Sequence, residues 1–166
     1  DDFLRIYYST MERSDAEDQF YFKKPFFEEL MSMENSVMFY VRFQDKIIST
    51  ELVIYGSENC YSYLGGTESE YFYTRANDFL KFEIIKWAKE KGLRNFVLGG
   101  GYGADDGIFQ YKMNLAPHGI RDFYIGRKVF DEGAYQELLH IRSKGNSEME
   151  KKLIDSGFFP AYRGTH

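Results

Sequence analysis

Cysteine, histidine, proline and long apolar runs are all scarce in this chain of 166 residues, and each shortage excludes something. The single cysteine, Cys60, cannot build an internal disulfide framework and fits a reducing compartment. No histidine nearby could activate it as a nucleophile, so it reads as a small buried residue. His118, His140 and His166 stand far apart, without the paired spacing of a zinc site. No window approaches the ~20 consecutive apolar residues of a bilayer-spanning helix, and no charged-then-apolar leader opens the chain. The expected location is the cytoplasm. Basic residues are outnumbered, for a net charge of −5, and nucleic-acid binding by these residues alone is not expected. The chain starts Asp1-Asp2 without Met, which points to a fragment of a longer protein. With no repeat, low-complexity tract or Pro/Ser linker, residues 1–166 read as one domain.

What is present belongs to a globular protein: 43% apolar residues and 19% aromatics, including 14 Tyr and 16 Phe. Phe3, Ile6, Tyr7 and Met11 sit at helical spacing within 2–13, and Lys24-Pro25 starts a second helix through about Met33. Residues 37–44, 47–55 and 60–65 read as strands of an antiparallel meander, the first two joined by a short turn at Gln44-Asp45-Lys46. Ala76, Leu80, Ile84 and Trp87-Ala88 then mark one face of a helix over 74–91, stopped by Gly92. A strand at 94–98, a short helix at 105–114, a strand at 121–130 and helices at 132–143 and 147–156 complete the order ααβββαβαβαα. This is an α/β domain whose strand–helix–strand step places at least one parallel pair in the sheet.

The stretch FVLGGGYGADDG (96–107) imitates a nucleotide loop, and Gly99-x-Gly101-x-x-Ala104 satisfies a loose dinucleotide fingerprint. It follows the fourth strand instead of opening the fold, and no Gly-Lys-Ser/Thr comes after the glycines, so neither dinucleotide nor P-loop binding is favoured. The glycines let the backbone turn at a strand end, where ligands of open α/β sheets bind.

From Tyr63 to Phe123 the chain resembles the GNAT-type acyltransferases, and within them the Fem-like group of peptidoglycan aminoacyltransferases and their relatives. The resemblance rests on ordered motifs: Tyr63-Leu64-Gly65-Gly66-Thr67, then Asn77-x-x-Leu80 and Trp87-Ala88 on a long helix, then Gly92 and Leu98-Gly99-Gly100. Gly107-Ile108-Phe109-Gln110-Tyr111-Lys112 follows, with Tyr111-Lys112 where the family shows Phe-Lys, and Gly157-Phe158-Phe159-Pro160-Ala161-Tyr162-Arg163 resembles its C-terminus. The resemblance implies a GNAT-like mixed sheet, an antiparallel meander followed by strand–helix–strand, with helices on both faces. It also implies that this chain is the C-terminal domain of a tandem pair, partnered by an N-terminal GNAT-like domain of the same protein.

Acyl transfer develops charge on the carbonyl oxygen, and a backbone N–H aimed there stabilises it. By resemblance that donor comes from the strand segment Tyr61 to Gly65. The helix start Tyr73-Thr74-Arg75-Ala76-Asn77 offers free N–H groups to a phosphate-bearing substrate, with Arg75 adding charge. Members that use acetyl-CoA carry Gln/Arg-x-x-Gly-x-Gly/Ala at this turn, whereas residues 68–77 read ESEYFYTRAN. Lys112 would neutralise a phosphate or the oxyanion, Tyr111 would donate a proton to the leaving group or serve as core, and Asp106 would act as general base. For Asp105 and Asp106 the default reading is capping of the short helix. Gly100 and Gly101 would shape the cleft mouth beside Lys112, Thr67 would line it, and Arg121, with Arg127 and Lys128, could bind phosphate.

The expected activity is acyl or aminoacyl transfer to an amine of a peptidoglycan or sugar-nucleotide precursor, with acyl-CoA or aminoacyl-tRNA as donor and no tightly bound cofactor. A non-catalytic lobe that binds substrate or a partner domain, and an acetyl-CoA-dependent N-acetyltransferase, are the alternatives.

Overall fold

β-branched and aromatic residues build the centre of the molecule. Strands β1 (Ser36–Phe43) and β2 (Lys46–Tyr55) form an antiparallel hairpin. Both turn residues, Gln44 and Asp45, take positive φ, the geometry that matches the twist of tight hairpins. β3 (Asn59–Thr67) adds antiparallel to β2, and β4 (Asn95–Val97) adds parallel to β3, giving the order β1-β2-β3-β4. A computed structural model describes residues 1–101 and 106–164 of this chain. They divide into two units, Asp1–Gly119 and a second beginning at Ile120. The mixed sheet lies in the first.

Helices cover both faces of that sheet, as the alternation along β2 requires. Leu52 points into a cluster with Phe3 and Tyr7 of α1 (Asp2–Arg13) and Phe27 of α2 (Lys24–Ser32). Its neighbour Val53 points the other way, into Cys60 and into Leu80, Ile84 and Ala88 of α3 (Ala76–Glu90). Full burial of a side chain like Leu52 contributes about 1.5–3 kcal/mol. Trp87 closes the α3 side, its ring edge-on to Phe39 and Tyr55 at 5.3 Å each. Cys60 is a buried core thiol, as its sequence context led one to expect.

Close approach of α1 to the sheet depends on Gly66. A β-carbon there would stand 2.2 Å from Thr10 Oγ1 and 3.1 Å from the Ile6 carbonyl oxygen. Gly66→Ala is therefore expected to cost about 1–3 kcal/mol, the usual range for overpacking, with Thr10→Ala restoring part of the loss. Urea unfolding of the single and double variants measures this, and an unchanged midpoint for Gly66→Ala would refute it.

After β4, α4 (Gly107–Leu115) begins on Asp106, whose side chain accepts the Phe109 N–H at 2.7 Å. Asp106 thus caps the helix, while Asp105 lies outside the described residues. In the second unit, α5 (Glu132–Ser143) and α6 (Ser147–Asp155) pack around Leu139, Leu153 and Ala161. Each begins on a side-chain cap, Asp131 for α5 and Asn146 for α6.

One expected element is absent. Residues 121–130 carry no strand, although their Phe, Tyr, Ile and Val content reads as one. Strand propensity expresses the fit of such side chains to a packed, pleated surface, and Phe123, Tyr124, Ile125 and Phe130 are exposed here. Arg127, named with Arg121 as able to bind phosphate, instead donates to the Gly157 carbonyl at 3.0 Å. Among the described residues, no helix is long and apolar enough to cross a membrane.

Candidate active site

The sheet opens where β3 and β4 part company. Their parallel pairing spans only Asn59 to Tyr61 against Asn95 to Val97, after which β3 continues alone toward Thr67. On its other side β3 slips register against β2: Leu64 faces Leu52 while Ser62 faces Val53, so Tyr63 is an extra residue with no partner. Such a β-bulge takes the extra residue out of the ladder and bends the strand. The bulge falls inside the segment Tyr61 to Gly65 from which a backbone oxyanion donor was expected.

A cleft of about 750 Å³ occupies this gap. Of the residues singled out in the sequence, Tyr63, Gly65, Thr67, Arg75, Asn77, Tyr111 and Lys112 all line it. Thr67 is nearly buried and its hydroxyl is shared with Ser49 at 2.7 Å, so it braces the wall. Lys112 Nζ folds back onto the Gly100 carbonyl at 2.5 Å, tying α4 to the glycine turn. Burial, and secondarily the Lys81 charge, pull the Lys112 ammonium below the ordinary lysine range. Tyr111 donates its hydroxyl to Asp78 Oδ1 at 3.1 Å. Burial first, and then this carboxylate, hold the phenol well above its ordinary pKa, so it stays protonated.

Other expected positions turn elsewhere. The Thr74 hydroxyl donates to the Tyr71 carbonyl at 2.7 Å, and Tyr73 is exposed, stacked on Tyr71. Gly101 sits against the Asp106 carboxylate and does not line the cleft. Arg121 belongs to the second unit and donates to the Ile120 carbonyl.

The α3 start also departs from an open phosphate loop. Residues Ser69–Thr74 form a 3-10 turn, and Arg75, at φ 56°, closes it in the left-handed region. Arg75 Nε donates to Asp78 Oδ2 at 2.7 Å, so one of the protein's own carboxylates stands in the first turn. A helix N-terminus attracts anions, and here Asp78 already answers that attraction. With no glycine in the turn either, these residues are a poor match to the pyrophosphate of coenzyme A.

The most buried charges of the cleft escaped the sequence reading. Glu51 of β2 is only 3% exposed and Lys81 of α3 only 7%, and the two form an ion pair through Glu51 Oε2. Lys81 also donates to Ser62 Oγ at 2.8 Å, next to the bulge. The other carboxylate oxygen, Glu51 Oε1, is buried without a hydrogen-bond partner among the described residues. The available signal was a pair of opposite charges set in buried stripes: Glu51 within STELVIY, and Lys81 beside Leu80 on the face carrying Ile84. From α1, Thr10 and Arg13 complete the lining, the Arg13 guanidinium lying 4.9 Å from the Phe72 ring centre. Among the described residues, no group of His, Cys, Asp and Glu could hold a metal ion.

These features agree with comparisons to known proteins. A family profile described as an acetyltransferase (GNAT) domain matches residues 1–113. No curated protein matches the chain in sequence. Among solved structures, an aminoglycoside acetyltransferase, meta-AAC0020, from an uncultured soil metagenomic sample, is similar in fold. Its complexes with trehalose and with sisomicin each give a TM-score of 0.58 at 12% identity, covering 78% of this chain and 87% of that one. A second such enzyme, HMB0005, also from an uncultured soil metagenomic sample, gives 0.56 at 8% identity, covering 78% and 90%. The bulged third strand, the parting of β3 from β4 and a profile match over more than half of its length together mean that this chain belongs to the GNAT acetyltransferase-domain family.

Proposed function

We propose that this chain transfers an acyl or aminoacyl group to an amine, with a peptidoglycan or sugar-nucleotide precursor as the acceptor. The observation that carries the reading is the cleft at the Tyr63 bulge, with the Lys112 ammonium and the protonated Tyr111 on its wall. The bulged strand offers a backbone N–H to the carbonyl oxygen of the donor, and Lys112 supplies positive charge as that oxygen becomes anionic. Tyr111, protonated at working pH, passes its proton to the leaving group and takes one back from the attacking amine as the new amide forms. Asn77 and Arg75 hold the rest of the substrate along α3, and Gly65 lets the bulged strand lie close against Thr50 and Glu51 of β2.

The order of motifs from Tyr63 to Lys112 supports the Fem-like branch, and with it a tandem arrangement in which an N-terminal GNAT-like domain of the same protein completes the site. The donor in this reading is aminoacyl-tRNA, or an acyl-CoA whose pyrophosphate is held elsewhere than at the α3 start, which Asp78 already occupies. A second reading, acetyl transfer to an aminoglycoside-like amine, takes its support from the activity named for the structural neighbours.

Mass spectrometry of reaction mixtures tests both. The full chain is incubated with acetyl-CoA or charged tRNA as donor, and with a UDP-linked sugar peptide or sisomicin as acceptor. A mass gain on the sugar peptide is the expected result. Acetylation of sisomicin alone would replace the first reading with the second, and no transfer from any donor, either by this chain or by the two-domain protein, would leave a non-catalytic lobe.

A further inference from the structure

We propose that Glu51 is the docking point for the acceptor's amino group, its Oε1 accepting an N–H from the amine. This rests on the transfer reading for its meaning, although the contact itself is a separate claim. Buried polar atoms in folded proteins are almost always hydrogen-bonded, so an orphan among the cleft-lining residues calls for an explanation. Glu51 Oε1 is such an orphan, buried and unpartnered among the described residues, while its twin Oε2 is held by Lys81. An ionised carboxylate only accepts hydrogen bonds. Whatever fills this position must therefore donate an N–H or O–H, which excludes an ionised phosphate or carboxylate and the donor's carbonyl oxygen; of the groups that transfer brings to the cleft, the acceptor amine is the one that donates.

Location adds a second, independent argument. Glu51 and Val53 point to the α3 side of the sheet, and Glu51 faces Gly65 across the ladder, two residues beyond the bulge. Gly65 puts no side chain over it. Lys81 is fixed by Glu51 on one strand and by Ser62 on the next, so it clamps the carboxylate against the bulged strand. An amine on Oε1 is thereby brought beside Tyr63, where the transferred carbonyl is expected. Lys81 is a positioning residue in this scheme, since its ammonium is already committed to Glu51 and Ser62.

Calorimetric titration of the full chain with putrescine, ethanolamine, L-lysine and sisomicin tests the contact without any acyl donor. The first three are paired with counterparts in which every amino group is a trimethylammonium, which keep the charge but have no N–H. The expected result is that at least one amine binds and that a trimethylated counterpart of any binding amine does not. Glu51→Gln should weaken that binding about tenfold or more, as loss of a hydrogen bond to a charged group does. The substitution acts because the glutamine carbonyl must turn to Lys81, leaving its NH2 facing the amine. Glu51→Met combined with Lys81→Met removes both buried charges and must lose amine binding as well. Failure of every amine to bind the wild type would overturn the docking point, as would retained affinity in either variant. Amine binding without any acyl transfer would sink the transfer reading and leave the docking point standing.

Discussion

Lys81→Met is expected to lower the melting temperature by roughly 10 °C, the consequence of about 3–5 kcal/mol lost when a buried ion pair is broken on one side. The methionine fills most of the volume of the lysine stem, so packing contributes little to the loss. The cost comes from Glu51, a carboxylate almost wholly out of water that would keep neither Lys81 nor any other cation on Oε2. Against the ~5–15 kcal/mol that holds a typical domain folded, this is the largest single-residue effect foreseen here. The Glu51→Met, Lys81→Met double variant separates charge from shape. Replacing a buried pair by apolar residues of similar volume is often near neutral, so the double variant should regain most of the lost stability. Thermal unfolding followed by circular dichroism decides it: a single variant that melts with the wild type, or a double variant that melts no higher than the single, would show that the pair does not carry this charge balance.

Lys112→Ala should cut the rate of acyl transfer by about 10²–10³-fold, the usual effect of removing one donor from an oxyanion site. Its melting temperature should not change. No residue of α4 is fully buried, Lys112 itself is half-buried, and the lysine's hydrogen bond is to an exposed turn carbonyl, so truncation removes no core. The same residue sets a pH limit. Burial and the neighbouring Lys81 lower its pKa, and only the protonated form can stabilise a developing oxyanion. Wild-type transfer should therefore decline as pH rises into that lowered range, below where an ordinary lysine would lose its proton. Lys112→Arg, whose guanidinium stays charged, should push the decline to higher pH while retaining more activity than alanine. Full transfer by Lys112→Ala at neutral pH would remove Lys112 from the reaction.

Local patterns carried the fold far. Phe3, Ile6 and Tyr7 announce α1 by their spacing alone, Lys24-Pro25 marks the start of α2, and the β-branched runs around Gln44-Asp45 announce the hairpin. The sheet does hold a parallel pair, but it joins β3 to β4; the strand–helix–strand step expected after the meander has no strand at 121–130. Residues 121–130 misled for a physical reason: the same side chains that suit a pleated surface are exposed here, and composition cannot report whether a neighbouring strand exists. For the site, the motif order reached Tyr63, Tyr111 and Lys112, because each sits inside a legible element, Tyr63 in β3 and the other two in α4. Glu51, Lys81, Ser62 and Asp78 were out of reach. Their roles depend on partners about 20 to 33 residues away, and a single charge in an apolar stripe gains meaning only when its counterpart can be seen across the sheet.

The brief pairing of β4 has a consequence for how the cleft behaves over time. β2 is buried without interruption from Ile48 to Val53, and Glu51 and Lys81 are anchored in that layer. By contrast β4 meets β3 over three residues, and α4 contributes nothing to the core. Segments with few buried contacts open at a small fraction of the global unfolding free energy. The two walls of the cleft therefore belong to different stability classes. The wall that carries Glu51 stays set, while the wall that carries Lys112 can unlatch and reseat around a bulky acceptor without disturbing the sheet.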